Sequence, residues 1–190
     1  MLQAVFVTNF YTLVKVVNKE EVFKACINPK LFDDQELEWG GEAQIKVERL
    51  DFDPLDKLLA PSIELALKNL SLNHLGFEMK TIWKNTYYKG YFQEIHDHIS
   101  HYHNTSHLSA VLFLEDHIPN SGQFYFHNDH QLSKTFSYVL DGSILSKDRY
   151  FLTPKEGDLI MFPSYMLHGV TPHKIKTPRH TISFNLRRSS

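Results

Sequence analysis

From Phe77 onward the chain is a run of short alternating or wholly apolar stretches separated by Gly, Pro and Asn turns. Few folds accept that texture. Phe77 to Trp83 alternates with period two, and Tyr87 to His98 resumes an extended pattern after Lys89-Gly90. Leu108 to Leu114 is a near-continuous apolar run, which predicts a central strand buried on both faces. Gln123 to Phe126, Tyr150 to Leu152, Asp158 to Phe162, Leu167 to Val170 and Arg179 to Leu186 extend the series. This many short strands implies a mainly β sandwich or barrel. Fourteen Phe and nine Tyr favour the same reading.

The first 76 residues have a different texture. Met1 to Tyr11 is apolar but short, lacks a basic leader and is broken by polar residues, so it reads as a first strand and not a signal peptide. Lys19 to Cys26 follows Asn18 and has acids in its first turn, which predicts a short helix capped by Asn18. Leu55 to Leu70 predicts an amphipathic helix, divided at Pro61. Asp33 to Gly41 reads as an exposed loop. The few N-terminal helices would pack outside the β core. No linker or repeat divides the 190 residues, so the expectation is one domain over 1–190, with 1–76 as support and 77–187 as core.

A formal charge of −2, with scattered Lys and Arg, gives no footprint for nucleic acid or an anionic membrane. No apolar run approaches the roughly 18 residues of a membrane span. Cys26 is the only cysteine, which excludes an internal disulfide and a thiolate zinc site and suits a cytoplasmic setting.

Twelve histidines are present, and eight of them lie between His96 and His130. In a strand, His96 and His98 share a face while Asp97 points away. With His168 from a distant strand they would offer three nitrogens to one side of a metal, leaving positions for substrate and water. Two alternatives stay open: a set including Asp97, because a carboxylate is the usual third ligand, and a set built on His101 and His103. His127-Asn-Asp129 also has suitable spacing but reads as a loop. His173 and His180 read as surface or lining residues. Arg179 opens the last strand, where its guanidinium fork suits a carboxylate. Arg179, Thr181, Ser183 and Asn185 fall on one face and make it polar and inward. Tyr88 and Gln93 offer a phenol and an amide to a small ligand, Tyr125 is a further lining candidate, and Trp83 reads as core.

Gly90 to His98 and Gly157 to His168 resemble the two cupin motifs. The fuller resemblance is to 2-oxoglutarate/Fe(II) oxygenases of a compact, prolyl-hydroxylase-like group. It rests on Gly157-Asp-Leu-Ile-Met-Phe-Pro-Ser-Tyr-Met-Leu-His-Gly-Val-Thr-Pro172 followed by Arg179-His-Thr-Ile-Ser-Phe-Asn185. The resemblance spans about residues 77 to 187. It implies a double-stranded β-helix with Fe(II) on His96, His98 and His168, and 2-oxoglutarate paired with Arg179 and Thr181, with Tyr88 beside them. It further implies use of O2, release of succinate and CO2, hydroxylation of a small molecule or protein side chain, and maintenance by ascorbate. The chain departs from the family's usual His-x-Asp by showing His-Asp-His. A three-histidine cupin enzyme that does not use 2-oxoglutarate is the competing reading.

Overall fold

The computed structural model describes residues 9–28, 32–36, 45–50, 52–99, 106–128 and 147–189. Among these residues eleven strands and two helices run in the order β1 (Thr12–Lys15), α1 (Lys19–Cys26), β2 (Phe32–Glu36), β3 (Lys46–Leu50), α2 (Phe52–Asn69), β4 (Phe77–Tyr87), β5 (Gln93–His96), β6 (Leu108–Phe113), β7 (Phe124–His127), β8 (Arg149–Phe151), β9 (Asp158–Pro163), β10 (His168–Val170) and β11 (Arg179–Arg188). They form two antiparallel sheets. The larger has the order β1-β9-β6-β11-β4-β3-β2 and the smaller β5-β10-β7-β8. This is the double-stranded β-helix with outer helices.

Period-two alternation divides the large sheet into two chemistries. Leu108, Ala110 and Leu112 of β6, Leu159 and Met161 of β9, and Ile182, Phe184 and Leu186 of β11 pack toward the helices. Val111, Phe113, Ile160 and Phe162 face the small sheet, where they meet Phe124, Phe126 and Val170. All six residues of β6 are buried, as its apolar run requires. Each fully buried Phe or Leu contributes roughly 1.5–3 kcal/mol of transfer free energy. On β11 the residues facing the small sheet are polar, and that exception makes room for a site. A register shift between Asn185 and Leu186, paired with Thr81 and Met79, lets Met79 and Ile82 both reach the helix side of β4.

The helices differ from expectation in detail. α2 continues through Pro61 without division. Its buried residues Leu55, Leu59, Ser62, Ile63, Ala66 and Leu67 follow helical spacing and lie on one stripe. α1 begins as predicted, but Asn18 adopts the left-handed conformation (φ 53°) and makes no side-chain cap. The segment read as a loop from Asp33 contributes Phe32–Glu36 as strand β2, paired with β3. One glutamine and three acids there lack the alternation that announces a strand, so the edge position next to β3 prevails over composition. The strand expected over Met1 to Tyr11 lies mostly outside the described residues, and the first described strand is β1. Among the described residues no helix is long and apolar enough to cross a membrane.

Candidate active site

Each candidate histidine is placed by backbone pairing. His168 opens β10 opposite His96 of β5 on one side and Phe126 of β7 on the other. His98 follows β5, held by its own N–H donating to the Ser164 carbonyl at 2.9 Å. Ser164 belongs to the turn after Pro163, where the Met166 N–H donates to the Pro163 carbonyl at 3.0 Å. Gly169 permits close packing of β5 and β10: a Cβ there would stand 2.8 Å from the Tyr125 hydroxyl and 2.9 Å from the Gln93 carbonyl.

One ring nitrogen from each of His96, His98 and His168 lies within 4.8 Å of the others. The ring centroids are 4.3 Å apart for His96 and His168, 5.0 Å for His98 and His168, and 5.2 Å for His96 and His98. The other nitrogen is occupied in every case. His96 Nδ1 donates to the Glu94 carbonyl and His168 Nδ1 to the Met166 carbonyl, both at 2.8 Å. A carbonyl only accepts, so these contacts fix the hydrogen on Nδ1 and leave the lone pair on Nε2. His98 Nδ1 donates to Asn185 Oδ1 at 2.8 Å, and the same oxygen accepts from Ser109 Oγ at 2.9 Å. In addition, Gln93 Nε2 approaches His96 Nε2 at 3.5 Å.

Burial drives the protonation state. Desolvation lowers the pKa of all three imidazoles: His98 to about 4, His96 below its ordinary value, and His168 well below it. Repulsion from His96 adds to the effect at His98, and repulsion from both neighbours adds to it at His168. Three neutral, oriented imidazoles converging on one point fit a divalent transition metal, with hydrogen-bonded carbonyls behind them to hold the rings. Asp97 stands apart. It is exposed, and its Oδ1 accepts from the Ile99 N–H at 3.0 Å. His101 and His103 lie outside the described residues.

Arg179 lines the same cavity and is 5% exposed. Its guanidinium carbon lies 5.5 Å from the ring centroids of both Tyr87 and Phe113. Its Nη1 is buried and has no hydrogen-bond partner among the described residues. Desolvation lowers its pKa, offset by Tyr87 and by Glu115. Glu115 is itself raised by burial, and its Oε2 accepts the His180 N–H at 2.9 Å. A buried cation with an unused donor is costly unless an anion completes it. Beside it, the Tyr87 hydroxyl donates to Gln93 Oε1 at 2.9 Å and hydrogen-bonds Thr181. Asn85 Nδ2 donates to Thr181 Oγ1 at 3.2 Å and Ser183 Oγ at 2.8 Å.

Some sequence candidates fall elsewhere. Tyr88 is 42% exposed and packs edge-on against Tyr91, while its neighbour Tyr87 lines the cavity. Trp83 is not simply core: it lines the cavity 5.6 Å from the His98 ring, and its Nε1 is buried without a partner among the described residues. Gln93 lines the cavity, whereas Tyr125 packs on Phe151. His173, read as a surface or lining residue, is fully buried. Its Nδ1 accepts from the Gly122 N–H at 3.0 Å, and its Nε2 donates to the Thr177 carbonyl at 2.8 Å. It therefore ties two loops together. His180 is half-buried, with Nδ1 3.1 Å from Thr86 Oγ1. Sequence reasoning missed Trp83, Asn85 and Tyr87 as a set. The pairing of Trp83 with Ser183, Asn85 with Thr181 and Tyr87 with Arg179 is the signal that reveals them.

A β-helix enclosing three neutral imidazoles and a buried guanidinium defines a metal-dependent enzyme class that also anchors an acid. Residues 81–185 match the family described as "Putative 2OG-Fe(II) oxygenase". The chain belongs to that family and is an oxidoreductase that uses Fe(II) and 2-oxoglutarate. No curated protein sequence matches it. Among solved structures it is similar to a prolyl-4-hydroxylase of Pseudomonas putida, with 20% identity, TM-score 0.65, and coverage of 96% of this chain and 95% of that one. It is also similar to a viral collagen prolyl hydroxylase of Paramecium Bursaria Chlorella virus-1, in complex with 2-oxoglutarate, with 12% identity, TM-score 0.61, and coverage of 95% and 96%. A third is HygX of Streptomyces hygroscopicus with nickel and 2-oxoglutarate bound, at 13% identity, TM-score 0.60, and coverage of 94% and 83%. At these identities the likeness is one of fold.

Proposed function

We propose that the chain hydroxylates an organic substrate, with iron held by His96, His98 and His168 and 2-oxoglutarate held by Arg179 and Thr181. The buried Nη1 of Arg179, without a partner among the described residues, carries this reading, because it demands an anion at the inner end of a cavity whose other end is three neutral imidazoles. Arg179 binds the distal carboxylate through its fork, and the Thr181 hydroxyl lies on the same strand face. Tyr87 and Phe113 wall the guanidinium off from water, which strengthens its pull on the acid. The Glu94, Met166 and Asn185 oxygens hold the ring hydrogens, keeping the histidines in the tautomer that ligates. Bound iron supplies the activation of dioxygen, coupling oxidation of 2-oxoglutarate to succinate and CO2 with insertion of one oxygen atom into a substrate C–H bond.

The balance is R–H + O2 + 2-oxoglutarate → R–OH + succinate + CO2. The competing cupin reading leaves the buried Arg179 without a partner. Succinate formation by the full chain with iron, ascorbate and 2-oxoglutarate across a substrate panel tests the proposal. Arg179→Gln should raise the KM for 2-oxoglutarate by about a hundredfold, equivalent to roughly 3 kcal/mol for a charge-assisted contact. Absence of succinate from the wild-type chain across the panel would remove the proposal.

A further inference from the structure

Gln93 and His96 stand three residues apart on β5, a spacing that puts two side chains on opposite faces of a regular strand. Both nevertheless line the cavity. The pairing with β10 explains it: His168 faces His96 and Val170 faces Gln93, so two steps along β10 match three along β5. The extra residue is a bulge in β5, a device that re-aims a side chain beside a site. Packing alone does not call for it. An amide turned inward must find polar partners in an enclosure that leaves Gln93 only 7% exposed.

The orientation of that amide follows from its neighbours, atom by atom. His96 Nδ1 donates to the Glu94 carbonyl, so His96 Nε2 carries the lone pair. Gln93 Nε2 is the amide atom that stands 3.5 Å from it. An amide oxygen in that place would set lone pair against lone pair, so an N–H faces His96. The amide oxygen, Oε1, accepts the Tyr87 hydroxyl hydrogen at 2.9 Å, and Tyr87 also hydrogen-bonds Thr181. The Tyr87 ring lies 5.5 Å from the guanidinium carbon of Arg179. Gln93 therefore stands between the two ends of the cavity. Its oxygen is anchored from the Arg179 end, and its N–H is directed at the histidine end.

A metal held by His96 takes the same lone pair that the Gln93 N–H now faces. The amide hydrogen then loses its acceptor and is left as a buried donor beside the metal, which is unfavourable until a ligand oxygen accepts from it. We propose that Gln93 is a further cosubstrate-binding residue, whose Nε2 donates to the 2-oxo oxygen of 2-oxoglutarate once the metal is bound. The far carboxylate belongs to Arg179, and the oxo-acid end is the part of the molecule that reaches the histidines. An oxo oxygen only accepts, so it suits an N–H. The contact also distinguishes this acid from a plain five-carbon dicarboxylate. The inference rests on the hydroxylase reading for the identity of the acid, whereas the aim of Gln93 at the His96 nitrogen stands on the geometry.

Calorimetric titration of the full chain provides the test, first with nickel alone and then with 2-oxoglutarate or glutarate on the nickel-loaded protein. Gln93→Leu keeps the approximate volume and removes the amide. Nickel alone should bind this variant about threefold more tightly than wild type, because no N–H competes for the His96 lone pair, while 2-oxoglutarate should bind about tenfold more weakly. Glutarate, which lacks the oxo group, should bind both proteins equally. Opposite shifts for metal and cosubstrate separate a directed donor from a packing role, since a distorted site loses affinity for both. Gln93→Leu also strips Tyr87 of its acceptor, so Gln93→Glu serves as the second variant. It keeps an oxygen for Tyr87 and puts another oxygen where the donor stood. It should bind nickel more tightly, and 2-oxoglutarate more weakly, than either of the other two proteins. Unchanged 2-oxoglutarate affinity in Gln93→Leu, an equal loss for glutarate, or a joint loss of nickel and 2-oxoglutarate in both variants overturns the proposal and leaves the hydroxylase reading standing. Failure of the nickel-loaded wild type to bind 2-oxoglutarate overturns that reading, and the proposal with it.

Discussion

Trp83 shows how one hydrogen-bond donor can mark the position of an absent acceptor. Its ring is 8% exposed and its buried indole N–H has no partner among the described residues, beside His98 and opposite Ser183. Such a donor costs about 1–3 kcal/mol unless something accepts from it. We expect the metal-proximal carboxylate of 2-oxoglutarate to do so. Trp83→Phe keeps the ring and removes the donor, so 2-oxoglutarate should bind about tenfold more weakly to the nickel-loaded chain, with nickel stoichiometry unchanged. With Trp39→Phe, Trp83 becomes the sole indole, and its emission should change on adding 2-oxoglutarate. Equal affinity in Trp83→Phe and wild type would exclude that contact. The sequence displayed Trp83 as one apolar residue on an alternating strand, which fixes its side of the strand but not whether that side meets core or cavity. His168 and Arg179 were legible because their types are costly to bury without a purpose. His173 was not, since a loop histidine shows its two backbone partners only after the loops have met.

Elements were legible to the degree that periodicity dominates their energetics. β6 and β9, apolar on both faces, could only be central strands. β11 announced two faces, and the polar one became the site wall. β2 carried no such signal, because its Asp-Asp-Gln-Glu run has no period-two alternation and only the backbone pairing with β3 at the sheet edge defines it as a strand. Pro61 marks where local propensity and tertiary packing disagree. It removes the donor for the Lys57 carbonyl inside α2, yet the helix continues because its buried stripe packs along β1, β4 and β9. An interior proline costs about 3 kcal/mol against alanine, and alanine returns about 0.4–1 kcal/mol of unfolded-state entropy. Pro61→Ala should therefore be stabilising by about 2 kcal/mol. For a chain of this size that corresponds to a melting temperature higher by about 4–8 °C, read by calorimetry. A lower melting temperature would mean that a proline-induced bend seats Leu59 and Ile63 on the sheet.

Across the whole molecule, the buried Arg179 sets function against stability. The fold encloses a guanidinium at 5% exposure between two aromatic rings, with one nitrogen lacking a partner among the described residues. Removing a cation from water costs several kcal/mol after relaxation, and ring contacts return only part of it. The ligand-free protein therefore carries this cost, and a bound dicarboxylate relieves it. Two opposite shifts follow. Arg179→Met fills similar volume without charge, so the ligand-free variant should be more stable than wild type by about 1–4 kcal/mol. Adding 2-oxoglutarate with nickel at a hundredfold over its Kd should stabilise the wild type by about 2.7 kcal/mol. That corresponds to a melting temperature higher by about 5–11 °C. Nickel alone should shift both proteins through the histidines, whereas the further shift from 2-oxoglutarate should be absent in Arg179→Met. Parallel melting curves, with and without each ligand, separate these contributions. A less stable ligand-free variant would show that Arg179 is already satisfied in the empty fold, and that the cavity was built around Arg179 for packing and not for an acid.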